Sequence, residues 1–434
     1  MKQMEFDEHQ LAIVDSKVEL GKALIIKATA GSGKTRTVIG KVQKLVMEDI
    51  PSSSMVTTAF NNLAARELKD RFRSFKIPKP EVVSTLHSFG RYLLYKYFDL
   101  KPTVMTEWNS LVLMRDLLEK DFEGYKKSDL TPIAKELVEI SNLLRCTRKY
   151  NKDKIANGTF VVHKYVDSDL DMKNPDICKY LHAYAEVKEQ TNTMDYADMI
   201  YRVLDLLEDN PDIVALIKKE LKYFFIDESQ DLDQMQWDLI LLLAEGNYLC
   251  CVGDTIQSLY GWRNAIPANF SQKYLGDYYS NIEELTLVNN YRSPANIVNI
   301  SNIIREQAGD PIRTIAKRAK VEGAIKFVEV RSNIQEGQAA VKYIKACLKE
   351  GYSYKDIHIL TRSSYYAKHT LEPALVRENI PYVMTARNSG KRLTEKPLNL
   401  IYFSAIAVLL NKNDIYSLGN LAEEIKGIGP AFIS

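Results

Sequence analysis

An apolar run, a glycine-rich turn and the start of a helix follow one another near the N-terminus, and this order fixes most of what the chain can become. Ala23-Leu24-Ile25-Ile26 reads as a buried strand, and Ala28-Thr29-Ala30-Gly31-Ser32-Gly33-Lys34-Thr35 follows it directly. The run has the spacing GxxxxGK[ST], with Ala28 in place of the first glycine. Backbone N–H groups of Ala30, Gly31, Ser32 and Gly33 can cradle a β-phosphate at the helix N-terminus. Lys34 supplies a cation for the β- and γ-phosphates, and the Thr35 hydroxyl suits Mg²⁺. A glycine turn beside a surface lysine is the plain alternative, and the strand-before, helix-after context argues against it.

A phosphate loop needs a carboxylate for its metal. Asp227-Glu228-Ser229-Gln230 follows the apolar run Tyr223-Phe224-Phe225-Ile226. Asp227 is placed to hold Mg²⁺, and Glu228 to orient and deprotonate an attacking water. Together the two motifs imply a nucleotide hydrolase. By themselves they do not separate a helicase from a transporter ATPase or a repair ATPase.

Further apolar runs, Tyr248-Leu249-Cys250-Cys251-Val252, Ile325 to Val330 and Ile357 to Leu360, alternate with helical patterns. Continuous apolar runs are the mark of parallel strands buried on both faces, so the expected class is α/β. From about Arg91 to Met194 the pattern is helical, as in Leu111 to Lys120 and Ile133 to Leu144, with no convincing strand. With 434 residues, at about 150 per domain, some three domains or subdomains are expected. Hydrophobic residues at 46% and charged residues at 26% exclude wholesale disorder and a disulfide mini-scaffold. The net charge is only +2, so any nucleic-acid surface must arise from local clustering of charge. Cys146, Cys178, Cys250, Cys251 and Cys347 lack CxxC spacing, which argues against a zinc or iron–sulfur site and for a reducing compartment. The first residues carry no signal-peptide pattern, and the longest apolar stretch, Ile401 to Leu410, is short for a membrane span. A cytoplasmic protein with no membrane partner is expected.

The remaining motifs narrow the function. Phe6-Asp7-Glu8-His9-Gln10 precedes the phosphate loop, and Arg36 follows it. Ala59-Phe60-Asn61-Asn62-Leu63-Ala64-Ala65, Ser84-Thr85-Leu86-His87 and Met194-Asp195-Tyr196-Ala197-Asp198 come next. Gly253-Asp254-Thr255-Ile256-Gln257-Ser258-Leu259-Tyr260-Gly261-Trp262-Arg263-Asn264-Ala265 and Asn290-Tyr291-Arg292-Ser293 complete the series. In this order the chain resembles the UvrD/Rep family of superfamily 1 DNA helicases. Asn62 stands where the family has Lys, and Asn264 where it has Gly.

The resemblance implies two RecA-like phosphate-loop ATPase domains with a helical insertion, the second core incomplete. The expected division is 1–90 and 195–284 for the first core, 91–194 for the insertion, 285–420 for the second core, and 421–434 for the start of an accessory subdomain. It implies ATP and Mg²⁺ as cofactors. Gln10, Arg36 and Tyr291 would hold the adenine, Gln257 would sense the γ-phosphate, and Arg292 would act as an arginine finger. Asn61, Asn62, Thr85, His87, Tyr260, Trp262 and Arg263 would bind single-stranded DNA or a single-strand/duplex junction. Trp262 beside Arg263 offers a stacking face and a cation together. The work would take place in a bacterial cell or phage-infected host, on the nucleoid, in repair or replication.

Three basic clusters adjoin these motifs: Arg66, Lys69, Arg71, Arg73, Lys76 and Lys79; Arg145, Arg148, Lys149, Lys152 and Lys154 around Tyr150; and Arg313, Lys317, Arg318 and Lys320. Charge runs are mostly solvated faces. The first adjoins a DNA-contact motif and is expected to meet phosphates, and the second to meet duplex. The family's motifs of the form His-x-x-Lys-Gly-Leu-Glu and Tyr-Val-Ala-x-Thr-Arg-Ala have no match here. The chain is accordingly expected to end near the family's accessory insertion, to be completed by a second protein chain or to be a fragment, and to bind ATP better than it hydrolyses it. Two readings stay open: a 3′-to-5′ helicase or translocase driven by cleft closure, and an ATP-binding, DNA-sensing module of a repair or anti-phage complex.

Overall fold

Burial along the first strand has no polar face: Ala23, Leu24, Ile25 and Ile26 are all within 1% of complete burial. Such a strand must lie inside a sheet covered on both sides. The computed structural model, which describes residues 4–162, 173–318 and 323–384, shows that sheet. In chain order the elements begin α1 (Glu8–Asp15), β1 (Lys22–Ala28), α2 (Lys34–Met47), β2 (Met55–Thr58), α3 (Asn62–Ser74), β3 (Val82–Ser84) and α4 (Leu86–Phe98). Then come β4 (Thr103–Val104), α5 (Glu107–Glu119), α6 (Lys127–Cys146), α7 (Lys152–Ala156), α8 (Asn174–Gln190) and β5 (Thr193–Met194). They continue with α9 (Asp198–Asp209), α10 (Pro211–Glu220), β6 (Tyr223–Ile226), α11 (Gln234–Ala244), β7 (Tyr248–Gly253), α12 (Gln272–Leu275) and β8 (Asn281–Leu287). Last in this first unit are β9 (Asn289–Pro294), α13 (Ala295–Gln307) and β10 (Ile315–Arg318).

Six parallel strands run in the order β3-β2-β6-β7-β1-β8. Their side chains alternate between two cores. Ala23, Ile25, Phe224, Ile226, Leu249 and Cys251 share one with residues of α4, α9, α10 and α11. Leu24, Ile26, Phe225, Cys250 and Val252 share the other with residues of α1, α2 and α3. The loops after β1, β6 and β7 therefore leave the same, carboxyl edge of neighbouring strands, which is where open α/β sheets bind ligands. This is the RecA-like arrangement expected.

The helical insertion holds one feature missed in the sequence. β4 and β5, two residues each, pair in parallel and close its two ends together. Its second basic cluster also needs correction. Arg145 is not a surface cation: it is 2% exposed, its Nε is 3.3 Å from Asp198, and it lies 4.2 Å from the Tyr150 ring centroid. Arg148 is paired with Glu208 and, at 3.1 Å, with Asp238.

The chain divides by contacts into residues 1–323 and 324–434. Described elements of the second unit include α14 (Asn333–Lys349), a π-turn over Ala367–Leu371 and α15 (Glu372–Arg377), with Val341, Ile344, Leu375 and Ile380 as a small core. The expected strands at Ile325–Val330 and Ile357–Leu360 are absent. A strand exists only by bonding to a neighbour, and no ladder among the described residues of this unit supplies one. Phe327 and Leu360 are more than 90% exposed as a result. The apolar stretch Ile401–Leu410 lies outside the described residues.

Candidate nucleotide and nucleic-acid site

The phosphate loop is built on two left-handed glycines, Gly31 (φ 69°) and Gly33 (φ 82°). A Cβ on Gly33 would stand 2.6 Å from the Gln10 amide nitrogen, and one on Gly31 2.8 Å from the Arg292 Cβ. Only glycine fits both the dihedral and the space. The Gln10 amide donates to the Ser32 carbonyl (3.0 Å), while its oxygen accepts from the Asp7 N–H (3.3 Å). Gln10, predicted to read adenine, here braces the loop from below. Arg36 lies 5.8 Å from the Phe6 ring centroid and donates to the Glu5 carbonyl (2.5 Å).

Lys34 opens α2, and its ammonium donates to Glu228 Oε2 at 3.0 Å. Thr35, the expected metal ligand, sits half-buried on the same first turn. Asp227 and Glu228 leave the carboxyl end of β6. Glu228 is held at φ 51°, a left-handed conformation costly for a residue with a Cβ and common at functional sites. Burial and the neighbouring Glu228 charge push the Asp227 carboxyl up to about 6, against the pull of Lys34. A carboxyl so strained fits a divalent cation, which would supply the positive charge that Lys34 alone does not. Lys34, Thr35 and Asp227 have the donor chemistry to hold Mg²⁺ and phosphate between them.

From Glu228 a chain of hydrogen bonds runs outward. Gln230 Nε2 donates to Glu228 Oε2 (2.9 Å), the Asp254 N–H donates to Gln230 Oε1 (3.0 Å), and Gln257 Nε2 donates to Asp254 Oδ2 (2.5 Å). Gln257 is thus joined to Glu228 through two intermediaries, Gln230 and Asp254. Arg292 sits beside the loop with its side chain exposed. The Tyr291 N–H donates to the Gly31 carbonyl (3.0 Å), and the Asn290 amide to the Ala30 carbonyl (2.7 Å). The Tyr291 hydroxyl reaches Asp7, which also accepts from Asn289 (3.0 Å).

The loop that carries Asp254 and Gln257 continues into an aromatic strip. Tyr260 lies 4.6 Å from Phe60 and 6.1 Å from Trp262, and Arg263 stands 5.3 Å from the Trp262 ring centroid. Trp262 is 76% exposed, so it is a surface face and not core. Asn61 and Thr85 serve as N-caps of α3 and α4, accepting from Ala64 (2.8 Å) and Ser88 (3.2 Å), whereas Asn62 is exposed. His87 meets Tyr196 edge-on at 6.0 Å, and burial together with Arg263 lowers its imidazole to about 4. Phe60, Gln230 and Arg305 were not among the predicted site residues. Phe60 and Gln230 lie inside motifs legible in the sequence, whereas Arg305 carries no local signal.

Fold and site together define a RecA-like core that carries a phosphate-loop motif after β1 and an aromatic strip on the loop after β7. The family model for the UvrD/REP helicase N-terminal domain matches residues 7–275, and that for the UvrD-like helicase C-terminal domain matches residues 285–434. The chain belongs to the UvrD/REP helicase family. It is 26% identical over 421 residues to an ATP-dependent DNA helicase PcrA of Staphylococcus epidermidis and 25% identical to one of Staphylococcus aureus. Each alignment covers 94% of this chain and 55% of the relative, so the chain spans about half the length of the curated relatives it matches.

Proposed function

We propose that this chain is the ATP-binding, DNA-engaging part of a helicase or translocase that moves 3′ to 5′ on single-stranded DNA. The observation that carries this reading is one loop, Asp254 to Asn264, with Gln257 tied to the nucleotide carboxylates at one end and the Tyr260–Trp262 strip at the other. Lys34 binds the β- and γ-phosphates once they displace Glu228 from its ammonium. Thr35 and Asp227 would hold Mg²⁺, which would supply positive charge against the phosphates. Glu228, released from Lys34, orients the attacking water and takes its proton. Arg292 offsets charge that develops on the transferred phosphoryl group. Gln10, Arg36 and Tyr291 frame the base. Bases stack on Phe60, Tyr260 and Trp262, and the first basic cluster, Arg66 to Lys79, meets the backbone phosphates. Closure about the nucleotide then shifts DNA-holding residues relative to one another.

The names of the Staphylococcus relatives agree with this reading, and favour it over a DNA-sensing module that does not unwind. The test is strand displacement on a 3′-tailed duplex by the 434-residue chain, with a 5′-tailed duplex, Lys34→Ala and Arg292→Ala as controls. ATP-dependent displacement from the 3′ tail alone, lost in both variants, supports it. DNA binding with no displacement under any condition sinks it. Phosphate release, followed in parallel on the same samples, reads whether the chain alone turns ATP over slowly.

A further inference from the structure

Asp254 and Arg305 form an ion pair across 51 residues of sequence. One guanidinium grips both carboxylate oxygens, Nη1 to Oδ2 at 2.8 Å and Nη2 to Oδ1 at 3.1 Å, the fork geometry in which arginine binds carboxylate most specifically. Asp254 is 3% exposed and Arg305 4%. Asp310 flanks Nη2. The same Oδ2 that takes Arg305 also accepts the Gln257 amide, and the Asp254 N–H is bonded to Gln230, hence to Glu228 and Lys34. Arg305 lies on α13, the helix that follows the Tyr291–Arg292 strand. One carboxylate therefore joins the nucleotide carboxylates, the root of the aromatic loop and the helix beyond Arg292.

We propose that Arg305 is a positioning residue that acts through Asp254 on Gln257, and so transmits occupancy of the phosphate site to the DNA-stacking strip. This rests on the ATP-dependent, DNA-binding reading above. Gln257 must leave Asp254 if its amide is to meet a γ-phosphate. With Arg305 in place, Asp254 keeps a cation on both oxygens after the amide departs, and the loop keeps its anchor. Without Arg305, the buried carboxylate has the Gln257 amide as its remaining side-chain donor among the bonds described, and holds it back.

The test is the affinity of the full chain for a fluorescein-labelled oligothymidylate, with and without a non-hydrolysable ATP analogue and Mg²⁺. In the wild-type chain the two affinities are expected to differ by at least about fivefold. In Arg305→Gln the ratio should fall to within about twofold of one, with nucleotide-free DNA affinity retained, and Arg305→Lys should restore part of it. The double variant Asp254→Asn with Arg305→Gln, which removes both charges and so guards against misfolding, should also lose the ratio. An Arg305→Gln chain with the wild-type ratio overturns the proposal. So does a fall in both affinities with the ratio kept, which marks a merely structural role. A wild-type chain that binds both ligands with a ratio of one overturns this inference and leaves the proposed function standing. A wild-type chain that binds neither overturns both.

Discussion

At the candidate nucleotide site the polar groups are held by one another, and this sets what each substitution does. Lys34→Ala removes the cation proposed for the phosphates and leaves Glu228 with the Gln230 amide alone, so nucleotide binding should be lost in a filter or fluorescence titration. Glu228→Gln keeps the shape and should bind ATP while losing about 10²–10⁴ in turnover, the usual worth of a general base. The Asp227 carboxyl adds a pH dependence. Its folded pKa, about 6, lies above the ordinary carboxylate value, so a proton held in the fold stabilises it at low pH, and that contribution is lost as pH rises through 6. Mg²⁺ competes with the same proton. The gain in melting temperature from Mg²⁺ and ATP should therefore grow between pH 5 and 7, and Asp227→Asn should flatten it. His87 has the opposite sign. Burial holds its imidazole near 4, so it stays neutral down to mildly acid pH, and its ring protons should show no titration by NMR between pH 5.5 and 7.5. The residue types of this site were legible in the sequence because phosphate chemistry demands them at fixed spacing. That Gln10 braces the loop, and that Arg305 grips Asp254, was not, since both depend on which distant segment the fold brings near.

Elements were legible where burial is complete. β1, β6 and β7 stand out as unbroken apolar runs because both faces of the sheet are covered. Ile325–Val330, whose apolar residues are interrupted by Lys326 and Glu329, forms no strand, since pairing is a property of the neighbour and not of the run. Arg145 shows the reverse error. It follows Leu130, Ala134, Leu137, Ser141 and Leu144 on the buried stripe of α6, so helical periodicity places it inside although its charge suggested surface. There it belongs to a closed network: Lys188 donates to Asp195 and Asp198, each at 2.6 Å, and Tyr184 donates to Asp195 at 3.0 Å. Burial would raise the Asp195 carboxyl, but Lys188 and Arg145 hold it well below the ordinary range. This network ties the insertion helices α6 and α8 to α9 and to Tyr196, which touches His87. Lys188→Met leaves two buried carboxylates short of a cation and should cost about 3–5 kcal/mol in urea unfolding. The stacking strip should behave differently. Trp262→Ala should weaken single-strand binding by about 1–3 kcal/mol with no change in the salt slope, whereas Lys69→Ala should lower that slope by about one.

On the scale of the molecule, a net charge of +2 offers no global attraction to nucleic acid, so binding rests on the placement of a few loops. The parallel sheet supplies that placement by delivering the loops after β1, β6 and β7 to one edge. On the proposed reading, nucleotide chemistry and base stacking would meet in a single segment, Asp254 to Asn264, and each ligand should therefore feel the other. The most direct measurement is the rate of ATP hydrolysis by the full chain with and without saturating oligothymidylate, in the wild type and in Arg292→Ala. Single-stranded DNA should raise the wild-type rate, whatever its absolute size, and the Arg292→Ala rate should stay low and unresponsive. A wild-type rate indifferent to DNA, or a stimulation that survives Arg292→Ala intact, would contradict the account.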